Sequence, residues 1–208
     1  MPFIYKAQYK ADRQDSHKDD DRIDWWSSLW KKKQWEKMFP YLPYPHHSHT
    51  EHVFPYDFDL AYWIYKNTGV LIPKGHLISF SSASRGDGFI GTRFEDFNKI
   101  SEHTERWDIL AKDVSRTELE AMTDRAKSIC GQKYFSIGIF LQLFPIKPVE
   151  LWLGKALKQW YCSPAVHYVS TSKRTKILPI ETTMWALKNG YIWMGHLEDL
   201  GVENSMIM

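Results

Sequence analysis

The stretch Trp160-Tyr161-Cys162-Ser163-Pro164-Ala165-Val166-His167 constrains this chain most. Proline breaks a helix interior but is tolerated in the first turn, where its missing N–H has no partner to lose. Pro164 therefore predicts a helix that begins at or next to Cys162. A thiol at that position faces the positive end of the helix dipole and the free N–H groups of the first turn. Both favour the thiolate, the nucleophilic form of cysteine. The same residues also suit a small core hydrophobe between aromatics. A second motif upstream separates the two readings.

That motif is His46-His47-Ser48-His49-Thr50-Glu51-His52-Val53-Phe54. Its β-branched and aromatic end predicts a strand, on which His49 and Glu51 share one face. Upstream, Phe3–Tyr9 alternates as a short strand, and residues 11–21 read as a solvated loop. A metal on Asp19-Asp20-Asp21 would lack a fixed scaffold. Asp24 caps an expected helix through Lys37, with Trp26, Leu29 and Trp30 on one stripe and Lys31-Lys32-Lys33 on the outer turn. The three prolines of Phe39–Pro45 predict an extended segment.

Residues 56–75 read as an insertion, helical or irregular over Tyr56–Asn67 and closed by Gly69. His76–Ser81, Phe89–Phe94 and Trp107–Leu110 follow as strand candidates, with a turn at Gly86-Asp87-Gly88. The clearest helix starts at Ser115: Ser115 with Glu118 forms a capping box, and Val114 with Leu119 a hydrophobic staple. Leu119, Met122, Ala126 and Ile129 continue its apolar face to a stop at Gly131. Cys130 in its last turn reads as structural. The apolar run Ile137–Leu143 ends at Pro145, and a loop or short helix leads to Lys158. After the cysteine helix, Glu181–Lys188 reads as a helix stopped by Gly190, and the tail after Gly201 as frayed. The expected fold class is α+β, an antiparallel sheet packed against helices.

Bulk composition narrows the function classes. The 208 residues suit one domain, 1–208, with residues 1–45 as an N-terminal arm and helix. A net charge of +2 gives no case for a nucleic-acid partner, and two cysteines exclude a disulfide scaffold. No signal peptide or transmembrane segment is evident, so a soluble protein made in the cytoplasm is expected. Aromatic residues make 15% of the chain, which suggests an aromatic core or a surface for a protein partner. His46, His47, His49 and His52 invite a zinc reading, with His49 and Glu51 or His47 reaching one ion. No HExxH or Cys-x-x-Cys partner follows, so neither metal nor cofactor is expected. Gly86–Gly91 lacks the strand–glycine–helix context of a phosphate cradle.

Three segments together resemble the circularly permuted papain-like cysteine hydrolases, the NlpC-type and YiiX-like group. Ser48-His49-Thr50-Glu51-His52-Val53-Phe54 is similar to that family's histidine strand. Gly131-Gln132-Lys133-Tyr134-Phe135 resembles its Gly-x-x-Tyr-Asp segment, with Phe135 where an aspartate is usual. Tyr161-Cys162-Ser163-Pro164 resembles its cysteine helix start, with Pro164 where a glutamate is usual. The histidine strand precedes the cysteine helix, as in the permuted forms, and the Ser-Phe-Ser-Ser strand is similar to bacteriophage versions. The resemblance implies that Cys162 is the nucleophile and His49 the general base. It implies a third member at Ser81, with His76 or Glu51 as alternatives. It implies a hydrolase that cleaves an amide or ester through an acyl-enzyme, with a cell-wall peptide of peptidoglycan foremost and a lipid or protein acyl group second. The contrasting reading keeps the fold but makes the protein an inactive, virion-associated binding component, which suits the departures at Phe135 and Pro164.

Overall fold

The computed structural model describes residues 2–10, 31–42, 44–83, 90–101, 104–135, 154 and 156–198. The polar loop 11–21, the helix start at Asp24 with its Trp26–Trp30 stripe, the Gly86–Gly88 turn, the run 137–143 and the tail after Gly201 lie outside the described residues.

Six strands form one antiparallel sheet in the order β4-β3-β2-β1-β5-β6. They are β1 (Phe3–Lys10), β2 (His47–Phe54), β3 (Ile78–Ala83), β4 (Gly91–Asp96), β5 (Trp107–Asp113) and β6 (Ile192–His196). Among the described residues six α-helices accompany them: α1 (Lys32–Met38), α2 (Phe58–Thr68), α3 (Phe97–Ile100), α4 (Arg116–Ile129), α5 (Cys162–Thr171) and α6 (Pro179–Lys188). The protein is therefore α+β, with helices packed on an antiparallel sheet.

Local chemistry sets the helix ends. In α4 the Ser115 hydroxyl accepts the Glu118 N–H at 3.2 Å, and the Glu118 carboxylate accepts the Ser115 N–H at 3.0 Å. This is the capping box expected from the sequence. In α2 the Asp57 carboxylate caps the Leu60 N–H at 2.8 Å, and Gly69 ends the helix at φ 77°. The 56–75 segment is thus helical over most of its first half. α6 begins two residues earlier than expected because Pro179 takes its first position, and Glu181 accepts the Leu178 N–H at 3.0 Å.

Both faces of the sheet are covered. On one, Ile4, Phe54, Ile78, Phe80, Phe94 and Leu110 pack with Ala165 and Val169 of α5 and Met122 and Ala126 of α4. On the other, Ala7, Val53, Trp107 and Ile109 pack with Phe97 of α3 and Leu197. A third cluster joins Trp35 of α1 to Leu178, Ile180 and Met184. Trp35, fully buried, is the anchor of α1, while Lys32 and Lys33 face solvent.

The pairing of β2 with β1 shifts between Tyr9 and Lys10: Tyr9 faces His49, whereas Lys10 faces His47. Ser48 is the extra residue of a bulge, so His47 and His49 lie on opposite faces. The two histidines therefore do not face one ion from one side of the strand. His47 instead contacts the buried Asp108 carboxylate through Nε2 at 2.8 Å and the Thr183 hydroxyl through Nδ1 at 2.9 Å. Lys10 reaches Asp108 at 3.3 Å, and His196 hydrogen-bonds the same carboxylate. Burial pushes the Asp108 carboxyl up, but His47, Lys10 and His196 together hold it below the ordinary carboxylate value.

A depressed carboxyl stabilises the fold above the unfolded value of about 3.9 and loses that effect as pH falls through the folded value. Asp108→Asn should therefore cost about 3 kcal/mol at pH 7. Urea unfolding should show that deficit narrowing below about pH 4. A deficit independent of pH would contradict this account of Asp108.

Candidate active site

The strands β2 and β3 pair only through His52–Phe54 and Ile78–Phe80. Beyond that point side chains replace the ladder. The Ser81 hydroxyl donates to the Thr50 carbonyl at 2.7 Å, and the Ser82 hydroxyl donates to the Trp160 carbonyl at 2.8 Å. The chain entering α5 is held from the other side as well. Phe135 N–H donates to Trp160 O at 2.8 Å, Trp160 N–H to Lys133 O at 3.0 Å, and the Trp160 indole N–H to Gln132 at 2.7 Å. The Arg174 guanidinium lies 4.0 Å over the Trp160 ring. Two residues later the helix starts, so its first turn is laid against the opening between β2 and β3.

Cys162 occupies the first position of α5, with Tyr161 as the cap residue and Pro164 in the first turn. No side chain caps this end. The N–H groups of Cys162 and Ser163 thus point outward from the positive end of the helix dipole. Cys162 is 3% exposed, its sulfur lies 3.6 Å from the Ser163 hydroxyl, and it acts electrostatically on the His49 ring.

Glu51 holds the far side of that ring. Its carboxylate lies 2.7 Å from His49 Nε2. An imidazole has two nitrogens, so with Nε2 engaged by Glu51 only Nδ1 is left for a second partner. Burial pushes the His49 imidazole down, but the charge and hydrogen bond of Cys162, followed by those of Glu51, outweigh it and raise His49 well above its ordinary value. Burial is also the main cause that raises the Glu51 carboxyl, opposed by His49. The His49 side chain is 25% exposed and Glu51 7%, so the ring meets solvent while the carboxylate does not.

The sequence-derived residues are distributed as follows. Cys162, His49 and Glu51 lie in series, thiol to imidazole to carboxylate. Ser81 is not the group that holds His49: its hydroxyl is spent on the Thr50 carbonyl, which fixes the strand beside the site. His76 is paired with Asp96 at 2.9 Å. His52 lies beside Lys6. Cys130 ends α4, and burial raises its thiol. Among the described residues no group of three or more His, Cys, Asp or Glu could hold a metal ion. Ser82, which ties the β3 strand to the entrance of α5, was missed, since a serine one step past Ser81 carries no sequence signal of its own.

No protein-family model, curated protein or solved structure matches this chain.

The raised His49 depends on the sulfur facing it. Histidine NMR should therefore find His49 titrating above the free value of about 6.5 in the native protein. In Cys162→Ala the midpoint should fall, because burial is then opposed by Glu51 alone. An unchanged midpoint would mean that the thiol does not govern the ring.

Proposed function

We propose that this protein is a thiol hydrolase that cleaves an amide or ester through an acyl-enzyme. The observation that carries the reading is the series of Cys162, His49 and Glu51 at the start of a helix. A cysteine hydrolase needs a thiol, an imidazole that accepts its proton, and a third group that orients the imidazole. A helix beginning at the cysteine, packed on an antiparallel sheet that carries the histidine, also suits the permuted papain-like, NlpC-type fold.

The mechanism follows from the positions. His49 takes the proton from Cys162, and the thiolate attacks the carbonyl carbon of the substrate. The oxyanion so formed lies next to the Cys162 N–H at the helix start, where the dipole favours negative charge. Collapse expels the amine or alcohol, which takes its proton from His49, and leaves a thioester on Cys162. Water then adds to the thioester, again giving a proton to His49. The carboxylic acid leaves, and the thiol recovers its proton. Glu51 orients the ring throughout and offsets its positive charge.

The resemblance of the three motifs favours a cell-wall peptide as substrate, with a lipid or protein acyl group second. It also favours a phage setting, with the protein made in the host cytoplasm and carried in the virion. Among the described residues no helix is long and apolar enough to cross a membrane. The alternative of a binding component draws on the outer face of α2. Phe58, Tyr62 and Tyr65 stand 56–70% exposed there, a surface for a protein partner.

The test is turnover of peptidoglycan fragments, with the released amine measured. Cys162→Ala should lower kcat by roughly 10⁴-fold or more while circular dichroism and Tm stay native. Cys130→Ala should leave turnover nearly unchanged. Iodoacetamide labelling of Cys162 at pH 6 should be faster in the native protein than in His49→Ala. Equal labelling, with no turnover of peptide or ester substrates, would favour the binding component.

A further inference from the structure

The carboxylate that holds the His49 ring has charged neighbours on β4. Between β3 and β4, Ser79 faces Glu95 and Ser81 faces Arg93; between β2 and β3, Val53 faces Ser79. Residues directly opposite each other, or two apart along a strand, share a face of the sheet. Val53, Ser79 and Glu95 therefore form one row, and Glu51, Ser81 and Arg93 the next row on the same face. Arg93 Nε donates to Glu95 Oε1 there at 2.7 Å, with the side chains 15% and 30% exposed.

Glu51 and Arg93 stand two strand spacings apart, roughly 10 Å between backbones, with a serine between them in the row. The Ser81 hydroxyl donates to the Thr50 carbonyl, so it is not a donor to Glu51. Glu51 is buried, where charges nearby are weakly screened. The other elements around it bring little charge. His49 is on its own strand, Ala7 faces it from β1, β3 contributes the two serines, and α5 offers Cys162 beyond the His49 ring. α6 meets β2 on the opposite face, through Thr183 and His47. Besides His49, the charges that act on Glu51 come from β4.

We propose that Arg93 and Glu95 are positioning residues of the candidate active site, an ion pair on β4 that governs how much negative charge Glu51 presents to the His49 ring. Their catalytic effect rests on the hydrolase reading; their effect on Glu51 does not. The pair is not neutral towards Glu51. Burial is the main cause that raises the Glu51 carboxyl, and His49 opposes it; after these, Glu95 raises it while Arg93 lowers it. The two members thus pull in opposite directions. A raised carboxyl loses its charge as pH falls through a value above the ordinary carboxylate range. An uncharged Glu51 no longer offsets the positive charge of the ring, so proton transfer from Cys162 becomes less favourable on the acid side. Glu95 moves that loss to higher pH, and Arg93 moves it to lower pH.

The test uses the full chain and two readouts. Carbon-13 NMR of the Glu51 side-chain carboxyl, assigned against Glu51→Gln, follows its titration without substrate. Glu95→Gln should move the midpoint to lower pH, and Arg93→Gln to higher pH. Arg93→Lys keeps the charge and should leave the midpoint near native. In turnover of peptidoglycan fragments, the ratio of kcat/KM at pH 5 to that at pH 7 should rise roughly two- to fivefold in Glu95→Gln and fall by as much in Arg93→Gln. Midpoints that move together, or not at all, would mean that the pair only braces β4, and would overturn the proposal. So would an Arg93→Lys midpoint displaced as far as that of Arg93→Gln. Should Arg93→Gln fail to fold, Glu95→Gln decides, because breaking an inert ion pair gives a neighbouring carboxyl no reason to become more acidic. Opposite carboxyl shifts without turnover would leave the effect on Glu51 standing and remove the hydrolase reading. Turnover with an unmoved Glu51 would do the reverse.

Discussion

The carbonyl of Trp160 is the point on which the rest of the candidate site depends. It accepts two hydrogen bonds from opposite sides, from the Ser82 hydroxyl on β3 and from the Phe135 backbone after α4. Both lone pairs of a buried carbonyl are thereby used, and the chain is fixed as if it were an extra strand. Only Tyr161 separates that residue from Cys162. A helix entered through a rigid segment has its first turn fixed in position and direction, so the Cys162 thiol meets the His49 ring without a long lever between them. The opening of β2 from β3 is the necessary complement. Had the ladder continued past His52 and Phe80, backbone pairing would have filled the place where the first turn of α5 lies.

The parts legible in the sequence were those governed by local rules. The capping box at Ser115, the glycine stop at Gly69 and the proline at the start of α5 each depend on residues a few places apart. Strand alternation placed His49 and Glu51 on one face, and their hydrogen bond follows from it. The failures come from pairing between distant segments. The bulge at Ser48 depends on how β2 meets β1, and it turns His47 away from His49. β6 escaped notice because Gly195, at φ 105°, sits inside a five-residue edge strand and interrupts its pattern. Lys6 and Gln8 are polar positions of the alternating Phe3–Tyr9 strand. They are 0% exposed because helices cover one face of the sheet and the Phe97–Trp107 cluster covers the other.

The protein contains two histidine–carboxylate couples on the same strand, and their differences separate structure from chemistry. His47 has Asp108 on one nitrogen and a threonine hydroxyl on the other, in the order of a catalytic triad. Yet His47 and Thr183 are both 0% exposed, and burial, outweighing Asp108, lowers the imidazole. A neutral ring closed off from solvent has no substrate to serve. Its role is to hold α6 to the sheet. His49 differs in each respect: it reaches solvent, it faces sulfur instead of a hydroxyl, and its partners outweigh burial and raise it.

Strand geometry explains why Glu51 rather than Ser81 anchors that ring. Side chains two residues apart on one strand stand roughly 6.5–7 Å from each other on the same face. A glutamate has the length to cross that gap, and the 2.7 Å contact to Nε2 shows that it does. A serine on the next strand would need the ladder closed at this point, whereas the ladder must open to admit α5. The two demands conflict, and the structure resolves them by drawing ring and carboxylate from one strand. The pair then moves as a unit: a shift of β2 relative to α5 changes the distance to sulfur but leaves the ring's orientation intact. Electrostatically the arrangement places the imidazole between two acids, so a proton arriving on His49 is stabilised from both sides. That is what holds a proton on the ring against the cost of its burial.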